Sequence, residues 1–305
     1  MNIAITGSNG FIGKNLVTFL SGVKDLNLIL INRNSDKNFS HEYSFEDLFN
    51  HNIDIDIDIF IHLASPNFDN EKNEELKNGI YNLTKKILDI LKDYNCEKFI
   101  FFSTAKVYGE ASIKSISYDE NSLPSPKTDY AKIKLETENL ILKRSENSRH
   151  SFIIYRLPFV YGSGMNSNLS KIFKIIEKSF PILILDRSID MKKSFLSVSN
   201  INEIIRMNIE NKNLFSNMII NISDTDSVSL SDILKSYKFK LNSKSIFIKI
   251  NRTTFKLFQY IPFFNKLMIK IYGSFEIDNS KMKTLSSCKL LSSSEGLDEY
   301  LKNKI

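Results

Sequence analysis

A tyrosine and a lysine, Tyr130 and Lys134 in the stretch YAKIK, are the residues whose types and spacing most directly suggest chemistry. Residues four apart on a helix lie on the same face, so these two side chains would be neighbours. A tyrosine hydroxyl has a pKa of about 10, and a neighbouring ammonium group favours the phenolate and lowers that pKa. The pair is therefore predicted to move a proton at neutral pH.

Thr104 is a second candidate catalytic residue, because it closes the apolar run KFIFFST at residues 98–104. Such a run is typical of a buried strand. At the carboxyl edge of a sheet, the Thr104 hydroxyl could hold a substrate hydroxyl or carbonyl in line for proton transfer. Taken singly, these features have plainer explanations. A tyrosine and a lysine at this spacing occur on many solvent-facing helices, and Ser-Thr at a strand end is often only a turn.

Three glycines, Gly7, Gly10 and Gly13, separate an apolar run at residues 3–5 from a helical pattern that starts at Phe11. In a strand–turn–helix unit, glycines allow a tight turn, close approach of the backbone to a phosphate, and close packing of helix on strand. The free N–H groups of the first helical turn then face a negative charge. The motif predicts a nucleotide-binding turn, and a glycine-rich loop without a ligand is the alternative.

Buried strands and helices alternate along the first half of the chain, which predicts a doubly wound parallel α/β sheet. Later strands are expected at residues 26–32, 58–64, 98–104 and 151–158, and helices at 74–95 and 128–146. Beyond Pro158 the elements become shorter. We therefore expect a dinucleotide-binding domain at 1–158 and a mainly substrate-binding domain at 159–305. The second domain should cap the carboxyl ends of the sheet and return some segments to it.

Composition excludes several classes of function. The net charge of +6 over 305 residues comes from lysines spread along the chain, which indicates a solvated surface and not a nucleic-acid face, although it suits a phosphorylated substrate. Cys96 and Cys288 form no metal-ligand spacing, which favours a reduced, cytoplasmic protein with no zinc site. The alternating IDIDIDIF is read as an extended segment and not as a metal site. No leader and no integral membrane segment is predicted.

The segment at residues 252–275 mixes Phe, Leu, Ile and Met with Lys and Arg. This composition is compatible with a helix that lies on a membrane surface. An ordinary helical pair that covers the substrate domain is the favoured interpretation.

Six motifs follow one another in a specific order: TGSNGFIG, DIFIHLA, STAKVYG, YAKIK, YRLPFVYGSG and GSFEIDNSKMK. In this order they resemble the extended short-chain dehydrogenases/reductases of the NAD-dependent epimerase/dehydratase family, in the nucleotide-sugar epimerase, dehydratase and ketoreductase group. The likeness spans nearly the whole chain. It implies a Rossmann-type fold with a smaller C-terminal substrate-binding domain.

The resemblance also implies residue roles. Tyr130 would donate or accept the proton, Lys134 would bind the nicotinamide ribose and tune Tyr130, and Thr104 would orient the sugar oxygen. Asn168 resembles a residue that contacts a substrate diphosphate. Lys193 stands where an arginine is usual, and a lysine leaves a point charge in place of a bidentate fork. The residues implied to hold the dinucleotide, besides Tyr130 and Lys134, are Gly7, Gly10, Phe11, Ile12, Gly13, Leu63, Ala64 and Ser65.

Three departures from the family pattern narrow these expectations. Ala105 and Lys106 follow Thr104 where dehydratases carry Asp-Glu, which disfavours dehydration. Asn32 and Arg33 stand at the cofactor position where an acidic residue would bind the ribose of NAD. Because an arginine there accommodates a 2′-phosphate, NADP(H) is a candidate cofactor beside NAD(H). The stretch IYNLT replaces the usual Asn-x-x-Gly-Thr, so packing near the cofactor is expected to differ.

The resemblance favours redox chemistry at C4 of a hexose carried on a nucleotide or a diphospholipid, by a 4-epimerase or a 4-keto-sugar reductase of bacterial surface-polysaccharide synthesis. A dinucleotide-sensing regulator with the same fold and no reaction is the alternative, although a sensor needs neither Tyr130 nor Lys134. Peripheral membrane contact and a homodimer are left open.

Overall fold

The computed structural model describes residues 1–33, 41–66, 73–146, 148–189, 191–285 and 289–302. Its strands are β1 Asn2–Thr6, β2 Asn27–Asn32, β3 Glu42–Ser44, β4 Ile59–His62, β5 Lys98–Thr104, β6 Ser117–Tyr118, β7 Ser151–Leu157, β8 Phe159–Tyr161, β9 Ile182–Leu185, β10 Lys193–Ser197, β11 Met218–Asn221, β12 Ser227–Val228, β13 Phe247–Ile250 and β14 Glu276–Ile277.

The described residues also form twelve α-helices. They are α1 Phe11–Leu20, α2 Phe45–Phe49, α3 Asn73–Lys77, α4 Leu83–Ile90, α5 Asp129–Ser145, α6 Asn168–Glu177, α7 Val198–Glu210, α8 Leu230–Lys240, α9 Arg252–Gln259, α10 Pro262–Tyr272, α11 Ser280–Leu285 and α12 Ser293–Lys302.

The main sheet has seven parallel strands in the order β11-β7-β5-β4-β1-β2-β3. The chain runs outward from β1 to β3, then crosses to β4 on the other side of β1 and continues outward again. The strand order therefore reverses between β1 and β4, and a ligand crevice is expected at their carboxyl ends. This topology confirms the predicted doubly wound parallel α/β fold.

The described residues form three further small sheets. Two come from the second half of the chain and contain β8, β10 and β12, and β9 and β13, whereas the third pairs β14 with β6 of the first half. Side chains including Phe173, Tyr237 and Leu297 form a second apolar core there. Strand β11 also lies in this half of the sequence, yet it pairs with β7 at the edge of the main sheet. The domain boundary at residue 158 stays a prediction.

Two local features differ from the sequence-based expectation. Residues 42–44 form the edge strand β3, which was not predicted because three residues are too few to show a periodic pattern. The helix expected at 74–95 is divided by a π-helical turn at Asn78–Asn82 and ends in a 3₁₀ turn at Leu91–Tyr94. A π turn adds a residue to one helical turn and is often found at functional sites.

The aspartate-rich stretch before β4 has a structural role. Asp58 accepts a hydrogen bond from the Asn2 backbone at 2.6 Å and pairs with Lys212 at 3.0 Å. Cys96 is buried, and burial raises the pKa of its thiol to about 12, whereas Cys288 lies outside the described residues. Among the helices that the structure describes, none is long and apolar enough to cross a bilayer.

Candidate active site

The glycine turn after β1 is packed closely against the end of β4. Gly7 has a φ of +70°, and a Cβ there would lie 2.8 Å from the backbone nitrogen of Ala64. A Cβ on Gly13 would overlap the carbonyl oxygen of Gly7. Gly10 differs, since it is exposed and a Cβ would approach the Gly7 carbonyl only to 3.2 Å. Gly7 and Gly13 are thus needed for internal packing, whereas Gly10 leaves open the surface that a ligand would approach.

Helix α1 begins directly behind this surface. Its first residues, Phe11 and Ile12, are half-buried, and its first turn carries no acidic side chain. The positive end of the helix dipole therefore faces the turn without a competing carboxylate from the same helix. This arrangement is suited to hold a phosphate.

A buried histidine joins the strands on either side of the crevice. His62 Nδ1 lies 2.6 Å from the Thr6 hydroxyl, and its Nε2 lies 3.0 Å from the Thr84 hydroxyl in α4. The Thr6 hydroxyl also accepts a hydrogen bond from the Ala64 backbone at 3.2 Å. Burial, with the nearby Lys134 charge, lowers the pKa of His62 to about 3. The neutral imidazole thus fixes the position of Ala64, and of Leu63 before it, on the crevice wall.

The π turn brings Ser65 to the catalytic tyrosine candidate. Gly79 lies in this turn, and a Cβ there would overlap the ring of Pro66. The glycine lets Pro66 pack directly on the turn, which holds the preceding Ser65 where its side chain is hydrogen-bonded to that of Tyr130. The contact between Gly79 and Pro66 lies directly before the stretch IYNLT, and the expectation that packing here differs from the family stays a prediction.

Lys134 is buried one helical turn beyond Tyr130 on α5. Its ammonium group donates a hydrogen bond of 2.9 Å to the carbonyl of Phe102 and lies 4.5 Å from the ring centre of Phe101, both in β5. The ring centre of Tyr130 is 5.9 Å away. Burial lowers the pKa of Lys134 to about 7, and the Glu138 carboxylate opposes this effect.

The predicted lowering of the Tyr130 pKa is wrong for this structure. Burial raises the pKa of Tyr130 to about 12, and the hydrogen bond with Ser65 only partly offsets it. The ammonium of Lys134 is directed at the Phe102 carbonyl, and burial lowers the pKa of the amine itself. Tyr130 is therefore held as a neutral phenol, which is the form that can donate a proton.

Thr104 closes β5, two residues after the carbonyl that binds Lys134. It is 8 % exposed, and its side-chain oxygen accepts a hydrogen bond from the Lys106 backbone at 3.2 Å. The 3₁₀ turn at Ala105–Tyr108 begins immediately after it. Because this bond uses a lone pair of the hydroxyl, the Thr104 proton stays available for an oxygen in the crevice.

A buried ion pair that was not predicted from the sequence lies behind these residues. Glu138 of α5 and Arg156 of β7 approach to 2.6 Å, with side chains that are 1 % and 4 % exposed. The Ser103 hydroxyl, next to Thr104, also donates to the Glu138 carboxylate. The sequence does carry a signal for this ion pair, since Arg156 is a charged residue inside the apolar stretch SFIIYRLP and a buried charge requires a partner of opposite sign.

At the other end of the crevice, Asn32 closes β2 and is buried. Its carboxamide accepts a hydrogen bond from Ser8 at 3.0 Å and donates to Glu42 of β3 at 3.3 Å. Arg33 follows and is exposed. The predicted contact of Arg33 with a 2′-phosphate stays a prediction, and Glu42 places a carboxylate beside the same strand end.

The two substrate-contact candidates lie in different settings. Asn168 is exposed at the first residue of α6. Lys193 is half-buried in β10, and its ammonium donates to the carbonyl of Ile271 at 2.8 Å. Burial lowers the pKa of Lys193 to about 8, and the Lys106 charge adds to this effect. Lys106 and Lys193 are thus close enough for their charges to interact, and the contact of Lys193 with a substrate diphosphate stays a prediction.

Comparison with known proteins decides the family. The model of the NAD dependent epimerase/dehydratase family matches residues 3–223. The chain belongs to the NAD-dependent epimerase/dehydratase family. It is therefore an enzyme of a family that acts on sugars with a nicotinamide dinucleotide.

Similar proteins within this family carry different activities. A UDP-glucose 4-epimerase of Vibrio cholerae is 24% identical, over 92% of this chain and 88% of its own. A dTDP-4-dehydro-6-deoxyglucose reductase of Escherichia coli is 26% identical, over 80% of this chain and 83% of its own.

Solved structures share the fold. The UDP-glucuronic acid 4-epimerase of Bacillus cereus, with UDP-glucuronic acid and NAD, has a TM-score of 0.76 at 21% identity and full coverage of both chains. RMD of Pseudomonas aeruginosa, with NADPH, has a TM-score of 0.77 at 16% identity and 99% coverage of each chain. Similar folds thus hold either form of the dinucleotide.

The crevice of this family member fits such a cofactor. The open surface at Gly10 and the amino end of α1 suit the diphosphate, and the Tyr130–Lys134 pair lies on the same carboxyl side of the sheet, beyond β4. When bound, the nicotinamide supplies or accepts a hydride.

Gly10→Val is expected to abolish dinucleotide binding and leave the fold intact. The new side chain would occupy the phosphate surface, while the loss at this helix N-cap costs only about 1 kcal/mol. Calorimetric titration with NAD and NADP, together with a thermal unfolding midpoint, measures both effects. Gly22→Val is the control, because Gly22 is an exposed glycine beyond the other end of α1. Equal cofactor affinity in both variants would refute the assignment of the phosphate site.

Proposed function

We propose that the protein is an oxidoreductase or epimerase that acts at C4 of a sugar carried on a diphosphate, as a 4-epimerase or a 4-keto-sugar reductase. The observation that carries this proposal is the joined cluster of Ser65, Tyr130 and Lys134 beside the glycine turn. The neutral phenol of Tyr130 is ready to protonate a keto oxygen, and such a proton transfer belongs to both reactions.

The proposed roles follow from the contacts. Tyr130 gives a proton to the sugar oxygen, and Ser65 holds the phenol in position through the hydrogen bond between their side chains. Thr104 keeps its own proton and donates a hydrogen bond to the same oxygen, since its lone pair is used by the Lys106 backbone. Lys134, whose ammonium group lies 5.9 Å from the centre of the Tyr130 ring, would bind the ribose of the nicotinamide, as the family resemblance implies.

The substrate side supports a diphosphate carrier. Burial lowers the pKa of Lys193, the Lys106 charge lowers it further and Glu110 partly opposes the shift, and an anionic substrate would stabilise both ammonium groups. Dehydration is not proposed, because Ala105 is buried and carries no group that transfers a proton. We further propose that the reaction serves bacterial surface-polysaccharide synthesis, as the motif resemblance implies.

The test is a panel of UDP- and dTDP-sugars and their 4-keto derivatives, incubated with the purified protein and followed by sugar NMR. An epimerase interconverts C4 epimers without added reductant, whereas a reductase consumes one NADPH for each keto sugar. Turnover of neither kind, with the dinucleotide still bound, would overturn the proposal and favour a dinucleotide sensor.

Arg33→Asp is expected to weaken NADP(H) relative to NAD(H) by about tenfold, because a charge-assisted contact to the 2′-phosphate is lost. Glu42→Gln should shift the preference in the opposite direction, since it removes a negative charge near the same site. Arg149→Asp makes the same charge change at an exposed position elsewhere. Calorimetric titration of both dinucleotides checks all three variants. Tighter binding of NAD than of NADP by the unmodified protein would contradict the role of Arg33.

A further inference from the structure

Helices α9 and α10 form a pair that is attached on one side and strongly exposed on the other. Phe255, Met268 and Tyr272 are buried in the second apolar core. Phe258, Ile269 and Ile271 are half-buried, and the other large apolar side chains of this pair are exposed. Those exposed between residues 257 and 267 are Leu257 (62 %), Tyr260 (85 %), Ile261 (47 %), Phe263 (72 %), Phe264 (41 %) and Leu267 (39 %).

These six side chains form an exposed apolar tip, which an ordinary covering role does not explain. A helical pair that only covers a domain buries its apolar stripe and exposes its polar residues. Here six of the seven large apolar side chains between residues 257 and 267 are exposed, and the seventh, Phe258, is half-buried. Contiguous exposed apolar surface of this kind marks an interaction site.

The charge around the apolar tip indicates what it contacts. Residues 233–275 contain nine Lys and Arg and no Asp or Glu. Arg252, Lys256, Lys266 and Lys270 belong to the helical pair itself and are exposed. Within the described part of the chain, no carboxylate is paired with these four. Aromatic and aliphatic side chains framed by unpaired cations are complementary to a surface of anionic headgroups over acyl chains.

We propose that the α9–α10 pair docks the protein on an anionic lipid surface, with the apolar tip inserted at the headgroup level. Long Lys and Arg side chains can lie along such a surface and keep their charges at the phosphates. At the opposite end of α10, the carbonyl of Ile271 accepts a hydrogen bond from Lys193. The docked pair therefore lies beside the substrate side of the crevice.

The experiment is co-sedimentation of the full chain with vesicles of phosphatidylcholine alone or mixed with phosphatidylglycerol, in low salt and in ~1 M salt. We expect binding only to the phosphatidylglycerol vesicles, weakened by salt. Tyr260→Ser with Phe263→Ser should reduce binding at least tenfold, whereas Leu123→Ser, which changes an 88 % exposed residue elsewhere, should not. Lys256→Glu with Lys266→Glu should also reduce vesicle binding at least tenfold. Lys85→Glu with Lys92→Glu changes two exposed lysines elsewhere and should leave vesicle binding unchanged.

All the changed side chains are exposed, so each variant is expected to fold. Thermal unfolding midpoints check that expectation. Equal binding by the tip and control variants would overturn the proposal, as would sedimentation that does not depend on phosphatidylglycerol. A concentration-dependent dimer that is lost with Tyr260→Ser and Phe263→Ser would also overturn it, since it would assign the tip to a contact between two copies of the chain.

Discussion

Tyr130→Phe is expected to lower sugar turnover by about a hundredfold to ten-thousandfold, the contribution typical of a positioned acid–base group. The change removes only the hydroxyl that is hydrogen-bonded to Ser65 and leaves the ring in place beside Lys134. Dinucleotide affinity should therefore be retained. Single-turnover hydride transfer on the substrate found by the sugar panel measures the first effect, and calorimetric titration measures the second.

Companion variants separate this role from a general loss of structure. Lys134→Met should also be slow but should bind the dinucleotide less tightly, because the proposed ribose contact is lost with the charge. Thr104→Val should lose less, since Thr104 only orients the substrate. Tyr94→Phe is the control, because its hydroxyl donates to the Leu48 carbonyl on the opposite side of the fold from the glycine turn. Near-normal turnover in Tyr130→Phe would contradict the proposed role of Tyr130 as the proton donor.

The fold was predictable because its signals are local. Apolar runs such as KFIFFST become β5, whose seven residues are all buried, and the alternation with amphipathic helices fixes a parallel sheet. The edge strand β3 was not predictable, because three residues carry no period. The π turn at Asn78–Asn82 was not predictable either, since it depends on the contact between Gly79 and the distant Pro66.

The candidate site was predictable as a set of residues but not as a set of protonation states. Spacing places Tyr130 beside Lys134, and the structure has them adjacent. The spacing does not show that burial raises the pKa of Tyr130 and lowers the pKa of Lys134, because burial depends on how the helices and strands pack. The hydrogen bond between Ser65 and Tyr130 likewise joins residues from separate elements.

Glu138→Gln is expected to lower the free energy of unfolding by about 3–5 kcal/mol, because it leaves the Arg156 guanidinium buried without an opposing charge. Glu138 also accepts from Ser103, beside Thr104, and lies one turn from Lys134. Turnover should therefore fall together with stability. Equilibrium urea unfolding measures the stability, and single-turnover kinetics measure the activity.

A double variant isolates the charge as the cause. Glu138→Leu with Arg156→Met removes both ions, so it should recover most of the stability, since apolar replacements of a buried pair are often neutral or stabilising. Glu203→Gln, which breaks the exposed pair with Arg206, should cost only about 0–1 kcal/mol. A double variant as unstable as Glu138→Gln would show that the shape and hydrogen bonds of Glu138, and not its charge, hold α5 against β5 and β7. Full stability in Glu138→Gln would contradict the buried ion pair itself.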